Sequence, residues 1–270
     1  GGISQADWDV LSDEDSNYPL LNRAIAGQYP AGSVIKPLTS FAALDAGVAT
    51  SESSWYCSGW WSWSGSRDDG TIMMCYNHSG HGALNLQRGI TMSCDVVFYE
   101  IGKGFYYADD PEGMQETFRR YGLGSATGID LDGEATGRVP DAAWKRDYYK
   151  ELGYSDEDSS WKGGDNCNIA IGQGDLLVTC LQMADAYCSI ANRGVAWRPH
   201  VLRGVRAKVG DGFVSEYKPG KALEVEESDA DRDLVERGMW GVVYEESASQ
   251  SAHWTNLSVS VAGKTGTAEQ

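Results

Sequence analysis

Apolar residues between positions 33 and 46 fall at Ile35, Leu38, Phe41, Ala42 and Leu44, the spacing of a helix with one buried face. Gly47 then supplies a C-terminal stop. Pro37 is tolerated only in the first turn, where amides lack intrahelical acceptors, so the helix starts at or just before Ser33. A second helix is expected from about Thr179, because Thr179 and Gln182 make a capping-box pair and Leu181, Ala184, Tyr187 and Ile190 follow at helical spacing towards Gly194. Ser228 caps a third, which runs from about Asp229 to Glu245. Between these two, the composition of 197–209 and 212–217 around Gly210-Asp211-Gly212 predicts a hairpin. Leu257, Val259 and Val261 alternate with Ser258, Ser260 and Ala262, the period of a half-buried strand leading into Lys264-Thr265-Gly266-Thr267. Residues 51–82 carry four tryptophans and no helical period, and read as an irregular, turn-rich subregion whose aromatics need a surface to pack on.

The longest apolar runs, such as 169–171 and 176–178, fall far short of the roughly 20 residues that span a bilayer. No transmembrane helix or signal peptide is legible, and a chain that begins at Gly1 and stops at Gln270 inside an expected strand reads as a fragment. The 270 residues include 22 Lys+Arg and 39 Asp+Glu, a formal net charge of −17. That balance argues against nucleic-acid binding, which needs clustered cations. With 41% hydrophobic residues, 10 Trp and 14 Tyr, the chain can bury a sizeable core as a single domain over 1–270.

Ser33-Val34-Ile35-Lys36 is an SxxK motif at a helix start, so hydroxyl and amine share a helical face. A serine becomes a nucleophile only when a neighbour takes its proton, and a lysine can do so once desolvation or a second cation lowers its pKa. Alone the motif is weak. Ser93-Cys94-Asp95 lies about 60 residues downstream and Lys264-Thr265-Gly266-Thr267 near the end of the chain, and this ordered trio is the motif set of serine beta-lactamases and penicillin-binding proteins.

The chain resembles the transpeptidase domain of a class B penicillin-binding protein, most closely the penicillin-binding protein 2, or cell-elongation, branch. The likeness runs through GGISQADW, PLLNRAIAGQYPAGSVIKP, GHGALNLQRGITMSCDVVFYE, YGLGSATGIDLDGEATGRVPDAAWK, NIAIGQGDLLVTCLQMADAYCSIANRG and AGKTGTAEQ. The second motif is SxD where the wider family usually has SxN, and Asp in that slot resembles the elongation branch. The resemblance implies an α/β (α+β) transpeptidase fold, an antiparallel sheet with flanking helices, here truncated at both ends. It implies a peptidoglycan D,D-transpeptidase at the extracytoplasmic face of the cell membrane. Ser33 would be the nucleophile, Lys36 its base, and Ser93 a relay to the leaving amine. Asp95 would hold the lysines and the substrate amide, and Lys264 would orient Ser93 and attract the substrate carboxylate. Thr265 and Thr267 would line the substrate site, the amides of Ser33 and Thr267 would form an oxyanion hole, and Gly266 would let substrate lie against the strand edge. Stem peptides would be substrates, beta-lactams covalent inhibitors, and a SEDS-type glycan polymerase a partner. Rival readings are a serine beta-lactamase, for which no residue is assignable as a deacylating base, and a sensor that is acylated but transfers to nothing. Strands expected before GGIS and after KTGT are missing, so this stretch alone is expected to be poorly stable or inactive.

Cys57, Cys75, His81 and Cys94 form a C-x17-C-x5-H-x12-C pattern, and a Cys3His set suits tetrahedral zinc. Because Ser93 and Asp95 must both face the cleft, Cys94 is expected to point towards the 51–82 subregion. Some members of the elongation branch resemble this with carboxylate, His and Cys ligands. A Cys57–Cys75 disulfide and free thiols remain the alternatives. No cofactor is expected for catalysis itself. His78 reads as a solvated loop histidine, Cys167 has no partner by spacing, and Cys180 and Cys188 read as core residues. The sequons at Asn77 and Asn256 carry no argument. The acidic residues at 156–158 and 224–233 read as solvated surface, and Gly172-Gln173-Gly174 as a packing turn.

Overall fold

The computed structural model describes residues 2–245, 254 and 257–267. Helices predominate and every strand pairing is antiparallel, in keeping with an α+β fold. Helix α1 (Gln5–Ser12), capped by the Ser4 hydroxyl, buries none of its residues. The polypeptide then reaches a 3-10 turn, Gly32–Ile35, which runs directly into α2 (Lys36–Asp45). The fold places Pro37 in the first turn, as its missing amide requires, and buries α2 from Lys36 through Ala43.

Helix α2 is the axis on which the rest is assembled. Helices α3 (Leu86–Thr91) and α4 (Asp95–Tyr106) lie beside it, and α5 (Gly113–Arg120) closes another side, with Tyr121 just beyond it stacked on Phe41 at 5.7 Å. Helix α6 (Ala142–Glu151) lies nearer the surface, and α7 (Gly163–Ala170) runs against α4 so closely that a Cβ on Gly102 would stand 2.7 Å from the Asn166 carbonyl oxygen. Helix α8 (Cys180–Ala191) begins with the expected capping box between Thr179 and Gln182. Helix α9 (Asp229–Tyr244) begins at the expected Ser228 cap and packs on α3, where the Thr91 hydroxyl donates to the Gly238 carbonyl.

The strands form four two-stranded pairs instead of one broad sheet among the described residues. Strand β1 (Ser54–Cys57) pairs with β4 (Gly82–Asn85), and β2 (Trp60–Trp61) with β3 (Met73–Met74). These pairs give the 51–82 subregion its frame, and its aromatics pack on α4, where Trp61 meets Tyr99 at 5.7 Å and Trp63 meets Tyr106 at 5.5 Å. Strand β5 (Val195–Trp197) pairs with β8 (Lys221–Glu224), while β6 (Gly204–Arg206) and β7 (Phe213–Glu216) form the predicted hairpin, narrower than its sequence signal.

Three expectations are corrected. Residues 257–267 form no strand, because a strand needs a neighbour to take its amides and none lies alongside among the described residues. The segment is held instead by single bonds, from the Gly263 amide to the Met239 carbonyl and from the Val261 amide to the Tyr244 hydroxyl. Cys180 and Cys188 are exposed, since the buried face of α8 carries Gln182, Asp185, Ala186, Ser189 and Ile190. Glu227, read as solvated, accepts a hydrogen bond from the Tyr121 hydroxyl, and burial raises the pKa of its carboxyl.

Candidate active site

The turn carrying Ser33 is held from three sides. The Gly32 amide donates to the Gly172 carbonyl at 2.8 Å, and a Cβ on Gly172 would stand 2.2 Å from the Gly32 oxygen. Gly172 has φ +78°, so glycine is required there both for conformation and for the close approach. The Tyr187 hydroxyl donates to the Val34 carbonyl at 2.8 Å, and Thr39 Oγ1 to the Ala170 carbonyl at 3.0 Å. The Gly-Gln-Gly segment is thus the packing turn the sequence suggested, and the surface it packs on is the nucleophile's own turn.

Lys36 is fully buried, and its ammonium is met by three oxygens: Asp95 Oδ1 at 2.7 Å, the Ser93 carbonyl at 2.9 Å and Ser93 Oγ at 3.4 Å. A buried cation without such partners would be strongly unfavourable. Asp95 opens α4, and its other oxygen accepts the Tyr76 amide at 2.9 Å. Ser93 sits between α3 and α4 with φ +52°, a left-handed conformation uncommon for serine, which turns both its carbonyl and its hydroxyl towards Lys36.

Lys264 donates to Ser93 Oγ at 2.7 Å and to the Thr265 carbonyl at 3.0 Å. Burial, and then the charge of Lys36, pull its pKa down to about 7 against the opposing pull of Asp95. The two lysines therefore meet at one hydroxyl. Ser33, Ser93, Asp95, Thr265, Gly266 and Thr267 line one cleft of about 890 Å³, together with residues of the 73–78 loop, Tyr99, Asn168 and Gln173.

The sequence-derived catalytic set Ser33, Lys36, Ser93, Asp95 and Lys264 is thus brought together, with two departures in detail. Asp95 bonds Lys36 but not Lys264 among the described residues. Gly266 lies against the nucleophile turn, where a Cβ would stand 2.8 Å from Val34 Cγ1, so its bareness serves packing on Val34 instead of a strand edge. Ser33 Oγ makes no hydrogen bond among the described residues. The sequence did not single out Gln173 Nε2, which donates to the Thr267 carbonyl at 3.4 Å, or Tyr76 and Tyr187. All three act on or through backbone atoms, which leave no signature in residue type.

Behind the second motif lies the other predicted cluster. Cys57 ends β1, Cys75 and His81 flank a tight loop, and buried Cys94 stands at the N-cap of α4; Cys75 also lines the cleft, whereas Cys94 does not. One ligand atom from each of the four lies within 4.8 Å of the others. The loop is closed by glycines: a Cβ on Gly59 would stand 2.1 Å from the His78 oxygen, and one on Gly80 2.4 Å from the Cys57 oxygen. Cys57 and Cys75 are not joined as a disulfide. A hydrogen bond from Cys94 holds the pKa of the Cys75 thiol well below its ordinary value, and Cys94, keeping the proton between them, is pushed up. His78 stands apart from the cluster and lines the cleft. Cys167 is buried, with its sulfur at 3.5 Å from the Tyr99 carbonyl.

The model of the penicillin binding protein transpeptidase domain matches residues 4–270. Peptidoglycan D,D-transpeptidase MrdA of Escherichia coli K12 is 32% identical over 273 residues, covering 99% of this chain and 40% of that protein. The Acinetobacter baumannii protein of the same name is 31% identical over 268 residues, covering 99% and 37%. The chain thus spans about two fifths of the length of these curated relatives. Among solved structures, Pseudomonas aeruginosa PBP2 in complex with WCK 5153 superposes with a TM-score of 0.81 at 28% identity, covering 98% of this chain and 56% of that one. PBP2 of Helicobacter pylori, in complex with MreC, gives 0.79 at 28% identity, covering 100% and 45%. With its three motifs gathered in one cleft and a family match over nearly its whole length, the chain belongs to the penicillin-binding protein transpeptidase domain family.

Proposed function

We propose that this chain is the catalytic domain of a peptidoglycan D,D-transpeptidase of the cell-elongation type. The observation that carries the reading is the Lys36–Asp95 pair and the Lys264–Ser93 bond meeting on the floor of the cleft that Ser33 lines. Ser33 Oγ attacks the carbonyl of the penultimate D-Ala of a stem peptide. The new ester bond forms, the bond to the terminal D-Ala nitrogen breaks, and the serine proton passes through Lys36 and Ser93 to that leaving amine. The amides of Ser33 and Thr267 stabilise the oxyanion, and the Lys264 ammonium attracts the substrate carboxylate beside Thr265 and Thr267. An amine of a second stem peptide then takes the acyl group and completes the crosslink. A beta-lactam enters by the same attack and stays as an ester.

Hydrolysis in the manner of a beta-lactamase is disfavoured by the carboxylates. Asp95 is the single one among the described residues lining the cleft, and both its oxygens are engaged, one by Lys36 and one by the Tyr76 amide. Peptidoglycan lies outside the cytoplasmic membrane, so the reading places the chain on that face; among the described residues no helix is long and apolar enough to cross a membrane. A SEDS-type glycan polymerase is the partner this reading favours. It is supported by a likeness, at 26% identity and TM-score 0.81, to a peptidoglycan synthase complex that coordinates polymerization and crosslinking.

Cys57, Cys75, His81 and Cys94 are read as a structural zinc site. Tetrahedral ligands about 2.3 Å from zinc stand roughly 3.8 Å apart, and the cluster is close to that spacing before any ion draws it in. Four protein ligands leave no open position, so the ion would hold structure and take no part in acyl transfer.

Intact mass spectrometry with a penicillin tests the catalytic reading. The expected result is one adduct of the intact drug mass, absent from Ser33→Ala, with the acyl group passing to an added acceptor amine when a donor peptide is supplied. Absence of any adduct from the chain extended at both ends, or its persistence in Ser33→Ala, would overturn it.

A further inference from the structure

Tyr76 touches both the thiol cluster and the second motif. Its backbone amide donates to Asp95 Oδ2 at 2.9 Å. Its hydroxyl stands 2.8 Å from the Met92 carbonyl and 3.3 Å from His81 Nε2, with the two rings 5.3 Å apart. A carbonyl can only accept, so the single phenolic proton goes to Met92, and the phenol oxygen is left as an acceptor for the imidazole. His81 Nε2 must then carry the proton. A neutral imidazole with its proton on Nε2 has a bare lone pair on Nδ1, and Nδ1 is the atom that faces the cluster, 3.6 Å from Cys75 Sγ.

We propose that Tyr76 is a positioning residue for the metal site: its hydroxyl selects the Nε2–H tautomer of His81, aims Nδ1 at the ion, and fastens that imidazole to the backbone of Met92, next to Ser93. The inference rests on the zinc reading above. Partners of this kind, bonded to the far nitrogen of a ligating histidine, set ring orientation and ligand strength, and their removal weakens metal affinity by about 10- to 100-fold. The bridge is local. Tyr76 is 58% exposed, so its hydroxyl can be removed without opening the core.

The test compares the zinc-loaded chain with Tyr76→Phe, using Tyr56→Phe, an exposed tyrosine on β1, as the control. Zinc affinity is read by competition with a chromogenic chelator, and the His81 ring by its nitrogen chemical shifts. The expected result is one zinc per chain in all three, a dissociation constant raised about 10-fold in Tyr76→Phe alone, and His81 bound through Nδ1 with a proton on Nε2 in the parent. Equal affinities in Tyr76→Phe and the parent, or His81 bound through Nε2, would overturn the role of Tyr76 while leaving the zinc site standing. A parent chain that binds no zinc would overturn both.

Discussion

Among single residues, Lys264 departs furthest from its sequence description. Lys36, the proposed proton acceptor, is held in place by its ion pair with Asp95, and burial beside it loosens the proton of a second amine, Lys264. At neutral pH Lys264 divides between ammonium and amine while bonded to Ser93 Oγ, so it can both attract a carboxylate and exchange a proton with that hydroxyl. The same shift affects folding. The folded-state pKa is about 7 and the unfolded value about 10.4, so between these the unfolded chain binds more protons and stability rises with pH. Below pH 7 both states are protonated, and the folded one carries the full cost of an ammonium beside Lys36. Thermal unfolding of the parent should therefore shift upward between pH 7 and pH 9, and Lys264→Met should flatten that rise. Identical pH slopes in the two proteins would show that Lys264 does not titrate in this window.

Elements were legible in the sequence where local chemistry specified them. Helices α2, α8 and α9 carry caps or stops and periodic apolar residues, and all three form where those signals lie. The α8 stripe was misassigned because three of its buried residues, Gln182, Asp185 and Ser189, are polar; Gln182 alone bonds the Ser125 and Thr136 carbonyls, an accounting only the folded chain reveals. Helices α4 and α7 escaped notice for a different reason. The start of α4 is apolar without a clean period, and α7 opens on Gly163-Gly164, so their stability comes from each other. The contact is backbone to backbone at Gly102, where a Cβ would meet Asn166 and Cys167 main-chain atoms within 3 Å. Gly102→Ala should push α4, and with it Asp95, away from α7 at a cost of about 1–3 kcal/mol. Gly164→Ala, on α7 where a Cβ meets nothing within 4 Å, should instead stabilise by about 0.4–1 kcal/mol. Denaturant titrations check both, and equal effects would show that the helices have room to separate.

At the scale of the whole molecule, the three motifs were legible because each is a residue pattern. The thiol cluster apart, what holds them in register was not, because most of it is contact to main-chain atoms between distant segments. The Ser33 turn leans on Gly172, the KTGT segment on Val34 and Gln173, and the second motif on Tyr76 and on Cys94 behind it. In the last of these supports, the 73–81 loop has one two-residue strand and is otherwise closed by turns and the thiol cluster. A metal there joins β1, that loop and the start of α4, three segments separated along the chain by up to 37 positions, from Cys57 to Cys94. Closing such loops disfavours the unfolded state, and an ion that binds only the folded chain adds about 4 kcal/mol when its free concentration is about a thousand times its dissociation constant. With zinc as the proposed occupant, a strong chelator should lower the unfolding midpoint by several degrees, restoring zinc should recover it, and the midpoint should climb with the logarithm of free zinc. Cys94→Ser should show none of this dependence. Because Cys94 lies between Ser93 and Asp95, chelation should also slow penicillin acylation of Ser33 while leaving the far helices α5 and α6 equally protected against hydrogen exchange. A midpoint and an acylation rate that ignore the chelator would mean that thiol packing alone holds the second motif in place.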